Sequence, residues 1–174
     1  NSIINATLNL LEAIKYINPE IMFYSAGSSE SFGDHGNDRI DEKSSFEPVS
    51  PYGIAKASAS MLVKSYRNSY AMNCCTGHLF NHESILRPTN FVTKKIIKSA
   101  VEIYNKKSEI LELGNINISR DWGWAPDYVE AMWLMLQNKN IDDFIIGTGK
   151  SNSLKTFIRI VFEKLKIDYE KHIK

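Results

Sequence analysis

Residues 50–56 read Ser50-Pro51-Tyr52-Gly53-Ile54-Ala55-Lys56, and they spell out a helix start. Ser50 is a preferred N-cap, because its hydroxyl can accept a hydrogen bond from an otherwise orphaned N–H of the first turn. Pro51 suits the first helical position, where its missing N–H costs nothing. Tyr52 then falls in the first turn, and Lys56 lies one turn further along the same face. A phenol held beside an ammonium has its anion favoured, so its pKa is expected to fall toward working pH. Such a residue is a general base, and the spacing suggests redox chemistry on an alcohol. A Tyr and a Lys four apart also occur on ordinary solvated helix faces, so the flanking sequence has to decide.

Outward from this stretch, helix and strand signals alternate. The helix begun at Pro51 continues to about Tyr70, and residues 73–79 form a short apolar run suited to a buried strand. Upstream, residues 21–25 form another such run, and residues 4–17 carry Ile4, Leu8, Leu11 and Ile14 at helical spacing before Asn18-Pro19. Downstream, residues 91–104 and 127–137 read as helices, 110–113 and 144–147 as short strands, and Ser153 caps a last helix over 154–166. This alternation argues an α/β fold with a parallel sheet. Two polar loops, 27–49 and 80–90, each follow an expected strand directly. Loops of that length usually serve a site, and in open α/β sheets ligands collect at the carboxyl ends of strands.

The bulk numbers are those of a globular chain. Its 174 residues are 43% hydrophobic and 24% charged with a net charge of +1, which marks neither a nucleic-acid nor an acidic-membrane partner. Scattered lysines such as Lys94, Lys95 and Lys98 read as solvated helix faces. No apolar run reaches membrane-spanning length, and the first residues show no signal-peptide pattern. Cys74 and Cys75 sit together in an apolar stretch and read as reduced core thiols of a cytoplasmic protein. His35, His78, His82 and His172 have no ligand spacing with them, so no metal site is expected. No Gly-rich dinucleotide fingerprint follows any strand; Gly147-Thr148-Gly149 comes nearest and is explained as a strand-to-helix turn.

Several blocks together narrow the reading: Ser28-Ser29-Glu30, Ser50-Pro51-Tyr52 with Lys56, Leu79-Phe80-Asn81-His82-Glu83-Ser84, Phe91-Val92-Thr93, and Leu113-Gly114-Asn115 followed by Arg120-Asp121-Trp122-Gly123. In these the chain resembles the GDP-mannose 4,6-dehydratase family of extended short-chain dehydrogenase/reductases, over nearly its whole length. The Tyr/Lys pair marks the broad superfamily, whereas the Asn-His-Glu-Ser and Arg-Asp-Trp-Gly blocks are narrower. The resemblance implies part of a Rossmann-like doubly wound parallel sheet whose N-terminal strands are missing, plus a small α/β nucleotide-sugar-binding portion. Residues 1–90 would be the C-terminal half of an NADP-binding Rossmann domain, and 91–174 mostly the substrate-binding portion, with one interleaved return to the sheet. The chain then reads as an internal fragment.

The same resemblance implies the roles. Tyr52 takes the proton from the sugar O4 as C4 gives hydride to NADP; Lys56 lowers the Tyr52 pKa and holds the nicotinamide ribose. Ser28 hydrogen-bonds the reacting hydroxyl, and Glu30 acts at C5 and in the departure of water from C6. The cofactor returns hydride to C6, so there is no net redox. His82 and Arg87 match cofactor contacts, and an arginine suits a 2′-phosphate because it can pair bidentately. Ser29, Asn81 and Arg120 would face the nucleotide sugar GDP-mannose, with an ion pair from Arg120 to Asp121 or Asp127 as the structural alternative. Glu30 discriminates, since epimerases and reductases with the same Tyr/Lys pair need no acid–base there, whereas elimination does. Leu86-Arg87 and Pro88-Thr89 depart from the family's Arg-Arg and Gly-Glu. That loop bears on the cofactor and on subunit contacts, the whole enzyme being expected as a homo-oligomer. The open alternatives are another nucleotide-sugar epimerase or reductase, and a catalytically inactive truncated protein.

Overall fold

The computed structural model describes residues 2–36 and 39–174. It resolves into two compact units: Asn1–Phe80 with Pro126–Gly147, and Asn81–Ala125 with Thr148–Lys174.

The first unit holds helix α1 (Ser2–Ile17), strand β1 (Phe23–Ala26), helix α2 (Pro51–Tyr70), strand β2 (Cys74–Leu79), most of helix α4 (Ala125–Gln137) and strand β5 (Phe144–Ile146). Its sheet is parallel in the order β1-β2-β5, with Phe23 beside Cys74 and Gly77 beside Phe144. Every residue of the central β2 is buried, the polar Thr76 and His78 included, as in a parallel strand covered on both faces. On the face that carries Phe23 and Cys74, α1 and α2 close a core of Leu11, Val63, Tyr66, Met72 and Cys74. Leu11 is the fully buried member of the apolar row on α1. Both cysteines are free and buried, and burial pushes each thiol up to about 11, so neither is a ready nucleophile.

α2 runs between its expected limits. Ser50 accepts a hydrogen bond from the Gly53 N–H at 3.0 Å, and Pro51 is the first helical residue. At the other end, Arg67 ties the helix to the sheet. Its guanidinium donates twice to Asp143 at 2.8 Å and once to the Cys74 carbonyl at 2.9 Å, while Asp143 also accepts the Thr76 N–H at 2.7 Å. Removing the carboxylate would leave a guanidinium whose side chain is only 12% exposed without its main partner. Asp143→Ala is therefore expected to destabilise the fold by about 2–4 kcal/mol, read as a lower urea midpoint at unchanged slope. An unshifted midpoint would show the network to be dispensable.

The second unit holds β3 (Asn81–Glu83), α3 (Val92–Tyr104), β4 (Ser119–Trp124), β6 (Ser151–Ser153) and α5 (Leu154–Lys164). Its sheet, ordered β3-β4-β6, is mixed: β3 runs parallel to β4, and β6 antiparallel to it. α3 and α5 pack through Ile96, Ala100, Ile103, Leu154, Ile158 and Phe162. Ser153 caps α5, accepting from the Thr156 N–H at 3.1 Å.

Three strands here differ from the sequence expectation. Residues 80–90 are not all loop, because β3 starts at Asn81; β4 and β6 had no apolar run or clean alternation to announce them. Residues 110–113 are not a strand of either sheet. Leu111 makes an isolated parallel bridge to Ile173, with the Leu111 N–H donating to the His172 carbonyl at 2.7 Å. Its apolar character instead reflects Leu111 filling the α3–α5 core. Among the described residues no helix is long and apolar enough to cross a membrane.

Candidate active site

Tyr52 and Lys56 lie one turn apart at the start of α2, as their spacing required. The Lys56 ammonium sits 5.7 Å from the centre of the Tyr52 ring and donates to the Ala26 carbonyl, the last residue of β1, at 2.8 Å. Lys56 is half-buried, and desolvation lowers its pKa. Tyr52 is 47% exposed. One residue is thus pinned at the carboxyl end of a parallel strand while the other is open to a substrate, which is where α/β sheets place their chemistry.

The loop after β1 does not wander. Residues Ser29–Ser31 form a single 3₁₀ turn, for which Ser28 is the N-cap, its hydroxyl accepting from the Glu30 N–H at 3.3 Å. The Ser31 and Phe32 N–H groups donate to the Ser28 and Ser29 carbonyls at 3.0 and 3.1 Å. Phe32 is buried against Phe46 and His78, with ring centres 5.1 Å away in both cases. His78 is buried, and burial lowers its pKa, so it serves as neutral packing beneath the turn.

That turn rests on the first turn of α2. A Cβ on Gly53 would come within 2.5 Å of the Glu30 carbonyl oxygen, so the close approach depends on glycine at this position. The Ser50 hydroxyl donates to Glu30 Oε2 at 3.1 Å. Ser28, Glu30, Tyr52 and Lys56 are in this way gathered by two elements that meet at the end of β1. Ser29 shares the turn. Sequence reasoning gave Ser50 only a capping role and Gly53 none; the signal available for Gly53 was a poor helix former inside an otherwise good helix start.

In the second unit, β3 carries Asn81 and His82, opposite Trp122 and Gly123 of β4. Strand alternation puts Asn81, Arg120 and Trp122 on one face of this sheet and His82 on the other. Arg120 is exposed and donates to the Ser119 carbonyl at 2.8 Å. Asp121, offered above as an ion-pair partner, instead accepts from the Thr148 N–H and hydroxyl and the Gly149 N–H, at 3.1, 2.7 and 2.8 Å. The Gly147-Thr148-Gly149 segment is a turn braced by a carboxylate, and it leads from β5 into β6 rather than, as expected, into a helix.

Arg87 is already engaged. Its Nε faces Glu83 Oε2 at 3.1 Å, as a charge contact off the line of the N–H bond, and its guanidinium lies 3.6 Å from the centre of the Phe91 ring. Both partners are near in sequence, so the arginine folds its own loop back on β3. Glu83 and Phe91 were not singled out for this contact in the sequence.

The profile of a family described as GDP-mannose 4,6 dehydratase matches residues 1–174. The chain is 44% identical over 161 residues to the GDP-mannose 4,6 dehydratase of Drosophila melanogaster, covering 91% of this chain and 41% of the relative. To that of Homo sapiens it is 46% identical over 159 residues, covering 90% and 42%. The chain spans less than half the length of these curated relatives. Among solved structures, the dTDP-glucose 4,6-dehydratase of Bacillus anthracis in complex with NAD matches with a TM-score of 0.88 at 23% identity, covering 97% of this chain and 53% of the other. RMD of Pseudomonas aeruginosa complexed with NADPH matches with a TM-score of 0.88 at 21% identity, covering 96% and 58%. At these identities the likeness establishes the fold, a Rossmann-type α/β architecture.

Proposed function

The chain belongs to the GDP-mannose 4,6-dehydratase family, and on that premise we propose that it works in a nucleotide-sugar dehydratase converting GDP-mannose into GDP-4-keto-6-deoxymannose and water. The observation that carries this reading is Glu30, a carboxylate held against the first turn of α2 by Ser50 in the same helix start that bears Tyr52 and Lys56. Oxidation and reduction of an alcohol need only the tyrosine and lysine; loss of water across C5 and C6 needs a further acid–base, and Glu30 fills that position.

The residues present fit the nicotinamide end of a cofactor. Lys56 spends one N–H on the Ala26 carbonyl and keeps further donors for ribose hydroxyls, beside an open Tyr52 phenol. The cofactor supplies hydride acceptance from C4 and hydride return to C6. Tyr52 accepts the O4 proton as general base. Ser28 hydrogen-bonds the same hydroxyl. Glu30 removes the C5 proton and passes a proton to the C6 oxygen, which leaves as water. Ser29, Asn81 and Arg120 contact the nucleotide sugar, Arg120 as a cation for its diphosphate.

We assign NADP as the cofactor, with His82 among its contacts. Arg87 is a second proposed contact to the cofactor, since its approach to Glu83 uses Nε alone and leaves the terminal N–H groups as donors. The complete enzyme is read as a homo-oligomer, and a reducing compartment such as the cytoplasm suits its two free buried thiols.

The test is mass spectrometry on GDP-mannose incubated with the full-length protein and NADP. Loss of one water without net cofactor reduction is expected. An unchanged mass, with the protein folded and NADP bound, would favour an epimerase; absence of NADP binding would favour an inactive protein.

A further inference from the structure

Resting on the assignment of Glu30 as the acid–base of elimination, we propose that Ser50 is a positioning residue for that carboxylate, in addition to being the cap of α2. A serine hydroxyl has one proton and two lone pairs. At Ser50 a lone pair is taken by the Gly53 N–H at 3.0 Å, which leaves the single proton for Glu30 Oε2 at 3.1 Å. The two bonds use different parts of one hydroxyl, so capping and positioning do not compete.

The choice of capping residue acquires a meaning from this. Aspartate caps helices as well as serine does, but it brings no proton and would set a second negative charge against Glu30. Threonine keeps both bonds. Glycine keeps most of the capping free energy and loses the hydroxyl. The bond to Glu30 is open to solvent, so it contributes little to folding; its effect is orientation. Glu30 Oε2 is held toward the helix start while the other carboxylate oxygen stays available for a proton at C5. The backbone of the turn is seated independently by its approach to Gly53, so losing the hydroxyl frees the side chain without moving the turn.

The experiment uses the full-length protein with NADP and GDP-mannose, and compares Ser50→Gly, Ser50→Asp and Ser50→Thr with Glu30→Gln. Ser50→Gly is expected to lower kcat about tenfold, equivalent to about 1.4 kcal/mol, with KM and the thermal midpoint near the parent values. Oxidation at C4 should continue, so reduced cofactor builds up during turnover. Ser50→Asp should fall at least as far, Ser50→Thr should restore the parent rate, and adding Ser50→Gly to Glu30→Gln should change nothing further. Parent turnover in Ser50→Gly would overturn the proposal. So would equal slowing of C4 oxidation and elimination, which is what a merely structural cap would give. Parent turnover in Glu30→Gln is a different failure, because it removes the acid–base assignment beneath the proposal.

Discussion

Tyr52→Phe in the full-length protein is expected to slow C4 oxidation, and with it all turnover, by about a hundred- to ten-thousand-fold. The substitution removes one oxygen and little else. Tyr52 is 47% exposed at the start of α2, so no core contact depends on the hydroxyl. The ring and its contact with the Lys56 ammonium at 5.7 Å remain, and Lys56 stays tied to the Ala26 carbonyl. Folding and NADP affinity should therefore be close to those of the parent. The informative measurement is a single turnover followed by the absorbance of reduced cofactor, because it isolates the step in which the O4 proton must leave. A parent rate of cofactor reduction would remove Tyr52 from the mechanism. A large loss of stability or NADP binding would instead mean that the phenol was structural.

Glu30→Gln should produce a loss of similar size in a different step. Glutamine has almost the same shape, and its carbonyl oxygen can still accept the Ser50 proton, so the 3₁₀ turn over Ser29–Ser31 is preserved. What it cannot do is take a proton from C5. Oxidation at C4 proceeds, water is retained, and reduced cofactor accumulates where the parent enzyme shows almost none. Deuterium from heavy water should no longer enter the sugar at C5. Dehydrated product formed at the parent rate would assign the elimination to another group. Because Tyr52→Phe blocks the chemistry before cofactor reduction and Glu30→Gln after it, the pair separates the two halves of the reaction.

How much of this was legible in advance depends on how local each signal is. α2 was read from Ser50 and Pro51 to Tyr70, since its cap lies within one turn of the residues it serves. β1, β2 and β5 were found because a strand of a parallel sheet needs a compact apolar run. The mixed sheet of the second unit was missed for the converse reason. β3 and β6 are three residues each, and β4 reads Ser-Arg-Asp-Trp-Gly-Trp, with no face set apart by polarity. Residues 110–113 misled in the other direction: Leu111 is buried by helices, and its backbone meets the chain's last residues in a single bridge.

By itself, then, the sequence determined the helices, the caps of α2 and α5, the parallel sheet, the one-turn spacing of Tyr52 and Lys56, and the family. Only the tertiary structure decided how the remaining polar side chains are spent. Ser50 reaches Glu30 across twenty positions, and Arg67 reaches Asp143 across seventy-six. Asp121, one of two alternative partners for Arg120, braces a turn at Thr148, and Arg87 meets Glu83 and Phe91. A hydrogen bond or ion pair needs its partner within about 3 Å, and which distant groups come that close is settled when apolar surfaces pack and bring the elements together. Polar pairing follows from position in the folded chain.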